Sequence, residues 1–152
     1  QNKQFLDTLK DCHWCIVEQP DFVSEGQQNF SNQNLYFFNS IDECLKSFNI
    51  DVILLSGVLQ YLEFPYNLLE QIKCLNFKYI MIDRTPFITG KDRITVQKVN
   101  KRIYKGSYPC WFFNKAAFIS KFTGSYKLIT EFDALDKANI SSEFKGFLLQ
   151  KV

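Results

Sequence analysis

The chain has 152 residues, 46% of them apolar and 22% charged, with 18 basic against 16 acidic side chains for a net charge of +2. That length fits one globular domain, and 16 Phe with 7 Tyr supply material for a core, which excludes general disorder. The near-neutral balance excludes a wholly basic nucleic-acid binder, and the longest clean apolar run, Val52-Ile53-Leu54-Leu55, is far short of the roughly 20 residues that span a bilayer.

Residues 3–10, with Phe5, Leu6 and Leu9 on one side, read as the end of an amphipathic helix. His13 to Glu18 reads as a short strand, stopped by Pro20, which brings no backbone donor to a ladder. Asp21 to Phe30 is polar and indistinct, enough for one helical turn or two. Leu35 to Phe38 is the next strand. Ser40 and Glu43 follow in capping-box spacing, ahead of Ile41, Cys44, Leu45 and Phe48 at helical intervals. Val52 to Leu55 is apolar on both faces, as expected of a central parallel strand covered above and below. Pro65 suits the first turn of a helix that buries Leu68, Leu69, Ile72 and Leu75, and Tyr79 to Ile82 is a second apolar strand ending at Asp83.

From Arg84 to Phe113 the pattern reads as a long connection with one strand near Ile94 to Val99. A short helix over Asn114 to Phe122 stops at Gly124, and Tyr126 to Phe132 and Phe144 to Val152 close the chain as an antiparallel pair. The alternation of strands and helices predicts an α/β fold around a mostly parallel sheet.

In such sheets ligands gather beyond the carboxyl ends of the strands. Four of those ends are polar here: Glu18-Gln19, Asn39-Ser40, Ser56-Gly57 and Asp83-Arg84. They are expected along one edge as the binding site. A carboxylate such as Glu18, closing the second strand of a nucleotide-binding unit, can accept from both ribose hydroxyls. The glycine-rich turn that would precede it by about 20 residues is not in the sequence, whose first Gly is Gly26.

The segments Trp14-x-x-Val17-Glu18-x-Pro20, Ser56-Gly57-Val58-Leu59-Gln60-Tyr61-Leu62, Asp83-Arg84-Thr85-Pro86, Val96-Gln97 and Tyr108-Pro109-x-Trp111 together resemble a family of bacterial S-adenosylmethionine-dependent methyltransferases, often associated with surface-polysaccharide gene clusters. The resemblance implies a Rossmann-like methyltransferase fold, a three-layer sandwich with an antiparallel C-terminal strand, here lacking the usual first strand. It implies that Glu18, with Gln19 beside it, holds the cofactor ribose, that Asn39 and Ser40 approach the adenine, and that Ser56, Gly57 and Gln60 border cofactor and acceptor. Arg84, Thr85, Gln97, Tyr104, Tyr108 and Trp111 are then expected on the acceptor side. With the first strand missing, the strands at Trp14 and Val52 are expected to close up, or a partner chain such as a second copy to fill the gap.

Methyl transfer to a hydroxyl needs a base. Asp83 is the candidate, with Tyr61 shaping the site, whereas His13 stands at the opposite end of its strand. Arg84 to Lys105 holds seven basic residues and one acid, Asp92, a cluster suited to steering an anionic, glycan-linked acceptor. Cys12-x-x-Cys15 invites a redox or zinc reading, but Cys15 falls inside a strand and one His is too few for the usual zinc sets. Five Cys and no signal-like start predict reduced thiols in the cytoplasm, and Gln1 in place of Met suggests a sequence that begins inside a longer chain. The competing reading is a non-catalytic, methyltransferase-like binding or assembly module.

Overall fold

A chain this rich in short apolar runs must pair its strands and cover them, and the computed structural model, which describes Leu9 and residues 12–152, shows how it does so. The helix expected over residues 3–10 lies, Leu9 apart, outside the described residues. The rest falls into two units, one ending at Ile50 and the other starting at Asp51.

In the first unit, β1 (Trp14–Val17) and β2 (Leu35–Phe38) run parallel, from Trp14 opposite Leu35 to Val17 opposite Phe38. They are joined through α1 (Pro20–Asn29), a ten-residue helix where the sequence promised a turn or two. Pro20 sits at its first turn with φ already helical, and Asp21 suits its positive end. Only Val23 and Gly26 are buried, too thin an apolar stripe to read. Gly26 has a packing reason: a Cβ there would collide with the Phe37 ring, so α1 approaches β2 more closely than any other residue allows. Helix α2 (Ile41–Ser47) starts at the expected cap, the Glu43 N–H donating to Ser40 Oγ at 3.1 Å, while Glu43 Oε2 accepts from the Asn39 N–H at 3.0 Å. Phe48 ends this helix rather than joining its stripe, and its ring packs 4.7 Å from His13 and 4.5 Å from Tyr36.

In the second unit, β4 (Tyr79–Ile88) is the axis. Its first half lies between β3 (Val52–Ser56), parallel, and β8 (Glu143–Lys151), antiparallel. Strand β7 (Tyr126–Asp133) adds antiparallel to β8, as expected. The expected end of β4 at Asp83 is instead a bulge. The register slips between Ile82 and Thr85, Arg84 takes φ 54°, and the strand resumes to Ile88. Pro86 follows directly on the bulge, opposite Phe144, a position next to an irregularity where strands accept proline.

The long connection expected from Arg84 to Phe113 is therefore mostly sheet. It contains β5 (Arg93–Lys98) and the unanticipated β6 (Ser107–Asn114), an antiparallel pair whose inner strand joins the end of β4 in parallel at Phe87 and Ile88. Pro109 stands opposite Val96 in the β5–β6 ladder, ahead of the residues of β6 that pair with β4. Between β3 and β4 stand a 3-10 turn (Leu59–Tyr61) and α3 (Pro65–Leu75), which buries Leu69 and Ile72 and ends on left-handed Asn76. A short α4 (Lys115–Ser120), capped by Asn114, follows β6.

The core of this unit is aromatic. Phe113, Phe118, Phe122 and Phe147 are fully buried beside Ile80, Ile82 and Leu149, and each such side chain contributes roughly 1.5–3 kcal/mol by leaving water. Strand β3 departs from expectation. Leu55 is buried, but Val52 and Leu54 on the alternate face are 48% and 41% exposed, so only one face is covered. Among the described residues β1 pairs with β2 in the first unit and β3 with β4 in the second.

Candidate functional site

Parallel pairing sets polar residues side by side at the ends of β1 and β2 in the first unit, and at the end of β3 against the β4 bulge in the second. In the first, the Glu18 N–H donates to the Phe38 carbonyl at 3.2 Å, which fixes Glu18-Gln19 beside Asn39-Ser40. The Glu18 side chain is exposed and, among the described residues, accepts only from the Gln19 N–H, at 3.1 Å, which leaves most of its acceptor capacity open there. Asn39 and Ser40 are partly engaged: the Asn39 N–H donates to Glu43, and Ser40 Oγ caps α2 with its own proton still available.

In the second unit, Ser56 pairs with Asp83. Ser56 Oγ donates to Asp83 Oδ2 at 3.4 Å, and the Arg84 N–H donates to Asp83 Oδ1 at 2.8 Å. The bulge makes the second contact, since left-handed Arg84 turns its amide back onto the preceding side chain. The Gly57 N–H donates to the Asp83 carbonyl at 2.9 Å, and Gly57 itself has φ 64°. Gln60, 3% exposed, donates from Nε2 to the Arg84 carbonyl at 3.0 Å, while its Oε1 is buried with no partner among the described residues. An orphaned buried acceptor is uncommon in folded proteins and marks this corner.

The bulge forms one wall of a cleft of 520 Å³, whose other wall is residues 132–136 at the end of β7. Arg84 reaches across it. Its Nε and one terminal nitrogen donate to Asp136 Oδ2 and Oδ1 at 3.0 and 2.9 Å, a bidentate pair that holds the Asp136 carboxyl below the usual aspartate range. Asp136 was not legible as a site residue; the only signal for it is that Arg84 needs a partner.

The expected acceptor residues divide. Tyr61 donates to Gln97 Oε1 at 3.1 Å and meets Tyr108 edge to face at 5.3 Å. The phenol of Tyr108 is pushed up by desolvation and then by the charges of Tyr61 and Tyr104. Burial, followed by Cys110, likewise raises the Tyr61 phenol. Thr85 is fully buried, and its hydroxyl donates to the Asp83 carbonyl at 3.3 Å, a contact that ties the bulge. Trp111 is half-buried, stacks on Phe113, and donates from Nε1 to the Leu62 carbonyl at 3.0 Å, which leaves its polar end committed. Of the seven cations expected over the site edge, only Arg84 lines the cleft.

Cys15 lies in β1 beside Cys44, and burial first, then Cys44, pushes its thiol up to about 12, the reverse of what a reactive cysteine requires. Among the described residues no group of three or more His, Cys, Asp or Glu side chains is placed to hold a metal ion, and no helix is long and apolar enough to cross a membrane.

The chain matches no protein-family model and no curated protein. Among solved structures it is similar to the N-terminal domain of EvdMO1, crystallised in the presence of SAH and D-fucose. The match covers 99% of this chain and 71% of that one at 11% identity, with a TM-score of 0.57, a likeness of fold.

Proposed function

We propose that the chain is a Rossmann-like, S-adenosylmethionine-dependent methyltransferase domain whose acceptor is a sugar hydroxyl. The observation that carries this reading is the shared fold with a domain crystallised with SAH, the demethylated product of S-adenosylmethionine, and with D-fucose. The residues present fit the adenosine half of such a cofactor. Glu18 stands at the carboxyl end of β1 with open acceptor capacity for two ribose hydroxyls, and Gln19, Asn39 and Ser40 offer short polar groups beside it. Bound S-adenosylmethionine supplies an electrophilic methyl group on a sulfonium.

The chain's own residues do the rest. Asp83 receives the proton of the acceptor hydroxyl, oriented by the donors Ser56 Oγ and Arg84 N–H. The unpartnered Gln60 Oε1 beside Gly57 accepts from a group that enters there. Tyr61, Tyr104, Tyr108 and Gln97 offer ring faces and amide atoms, the combination that packs on and hydrogen-bonds a pyranose. A second reading, a non-catalytic assembly module acting as a homodimer or with a partner strand, is favoured by the half-exposed apolar face of β3.

Titration calorimetry with S-adenosylmethionine and SAH separates the two. The enzyme reading expects SAH to bind, and Glu18→Gln to weaken it about tenfold or more through lost charged hydrogen bonds. Absence of binding by either compound overturns that reading for this chain. Transfer of label to D-fucose or a related hexose, abolished in Asp83→Asn, tests the acceptor.

A further inference from the structure

The six cations that the cleft does not use, Lys91, Arg93, Lys98, Lys101, Arg102 and Lys105, all stand exposed on or beside the β5–β6 hairpin, and none has an ion-pair partner among the described residues. The one acid in that stretch does not offset them. Asp92 is turned inward, accepting from Tyr66 Oη at 2.5 Å and from the Asn114 N–H at 2.6 Å. Apolar side chains stand exposed among the same cations: Ile94 at 54%, Val96 at 68% and Ile103 at 75%.

Strand alternation puts Ile94, Val96 and Lys98 on one face of β5, the outermost strand, while Thr95 and Gln97 on the other face bond to Cys110 and Tyr61. Ile103 projects from a formed turn. Its N–H donates to the Asn100 carbonyl at 2.8 Å, the Arg102 N–H to Asn100 Oδ1 at 3.0 Å, and the Val99 N–H to the Gly106 carbonyl at 3.0 Å.

We propose that this hairpin docks the protein on an anionic lipid bilayer, with Lys101, Arg102, Ile103 and Lys105 at the headgroup level and the Ile94–Val96 face beside it. Both halves of the patch are matched by that partner. Phosphate headgroups complement the cations, and the acyl boundary takes the aliphatic side chains. A second copy does not fit, because a two-fold interface would set each cation against its own kind. A nucleic acid would leave Ile94, Val96 and Ile103 without a use, since bases stack on aromatic rings rather than on aliphatic chains. The docking is independent of which acceptor is methylated.

The test is sedimentation of the chain with vesicles of phosphatidylcholine alone and of phosphatidylcholine mixed with phosphatidylglycerol. The expected result is partition to the mixed vesicles only, weakened as salt rises. The pair Lys101→Gln and Arg102→Gln lowers partition about 30-fold, at about fivefold per basic side chain. Ile103→Ser lowers it about tenfold. All three positions are exposed, so an unchanged melting midpoint in the variants confirms that the fold is intact. Equal partition to neutral and anionic vesicles, no partition to either, or variants that bind like the parent would each overturn the proposal. So would sedimentation equilibrium showing a dimer that Ile103→Ser dissolves, or retention by RNA without retention by vesicles.

Discussion

Replacing Arg84 separates two opposed energies that meet at the β4 bulge. Its φ of 54° places an L residue in the left-handed region, at roughly 1–2 kcal/mol. Against that stands the bidentate pair with Asp136, whose side chains are 55% and 29% exposed, so solvent reduces it to about 0.5–1 kcal/mol. Arg84→Ala removes the pair and keeps the strain, and is expected to destabilise by about 0.5–1 kcal/mol. Arg84→Gly loses the same pair but releases the strain, less roughly 0.5–1 kcal/mol for the freer unfolded chain. Glycine should therefore be about 0.5–1 kcal/mol more stable than alanine at this position, or roughly 1–4 °C in melting midpoint for a chain of this size. Urea unfolding followed by circular dichroism reads both. Asp136→Asn supplies the third corner, and the Arg84→Ala/Asp136→Asn double variant should show a coupling of about 0.5 kcal/mol that fades with salt. Alanine as stable as glycine would refute the strain account, and strict additivity would refute the pair. Both variants keep the amide that donates to Asp83, so the geometry of that carboxylate should be retained.

Three further outcomes are expected. Phe118→Ala should cost about 3–5 kcal/mol, because the ring is fully buried against Phe87, Phe113 and Phe122; a loss below about 1 kcal/mol in urea would mean that the cluster is not the core. The carboxyls of Asp136 and Glu131 are held below their ordinary values of 3.8 and 4.5 by Arg84 and Lys115, so their stabilisation is complete above about pH 4.5 and is lost as pH falls through the depressed values. Asp136→Asn should accordingly flatten part of the acid limb of stability against pH, and an unchanged limb would count against the pairing. Thiol labelling near pH 8 should modify exposed Cys74 quickly and Cys15 slowly, with peptide mapping as the readout; equal rates would revive the redox reading.

What the sequence made legible is what is local in the chain. The Ser40–Glu43 cap, Pro65 at the first turn of α3 and the register-ready runs at Leu35 and Tyr79 each need only neighbours within four residues, and each is found in place. Features set by distant partners did not show. Asp83-Arg84-Thr85-Pro86 has the composition of a strand end, yet β8 runs alongside on both sides of the slip and holds the strand together past it. The same ladder turns a terminator into the bulge that aims the Arg84 amide at Asp83. A run such as Val52 to Leu55 is apolar whether one face or both are covered, so composition could not report the exposed side of β3.

Asp136 is the sharpest case. Nothing within its own segment distinguishes it from any surface aspartate, and it becomes part of the cleft only because Arg84, 52 residues earlier, is turned toward it by a left-handed backbone. The seven-cation stretch divides for the same reason. One member is drawn into the cleft by a carboxylate across it, and the other six stay on the hairpin with no such partner among the described residues. Charge counted along a chain gives the supply of cations, whereas their division between the cleft beside the bulge and the open hairpin surface is decided by the fold.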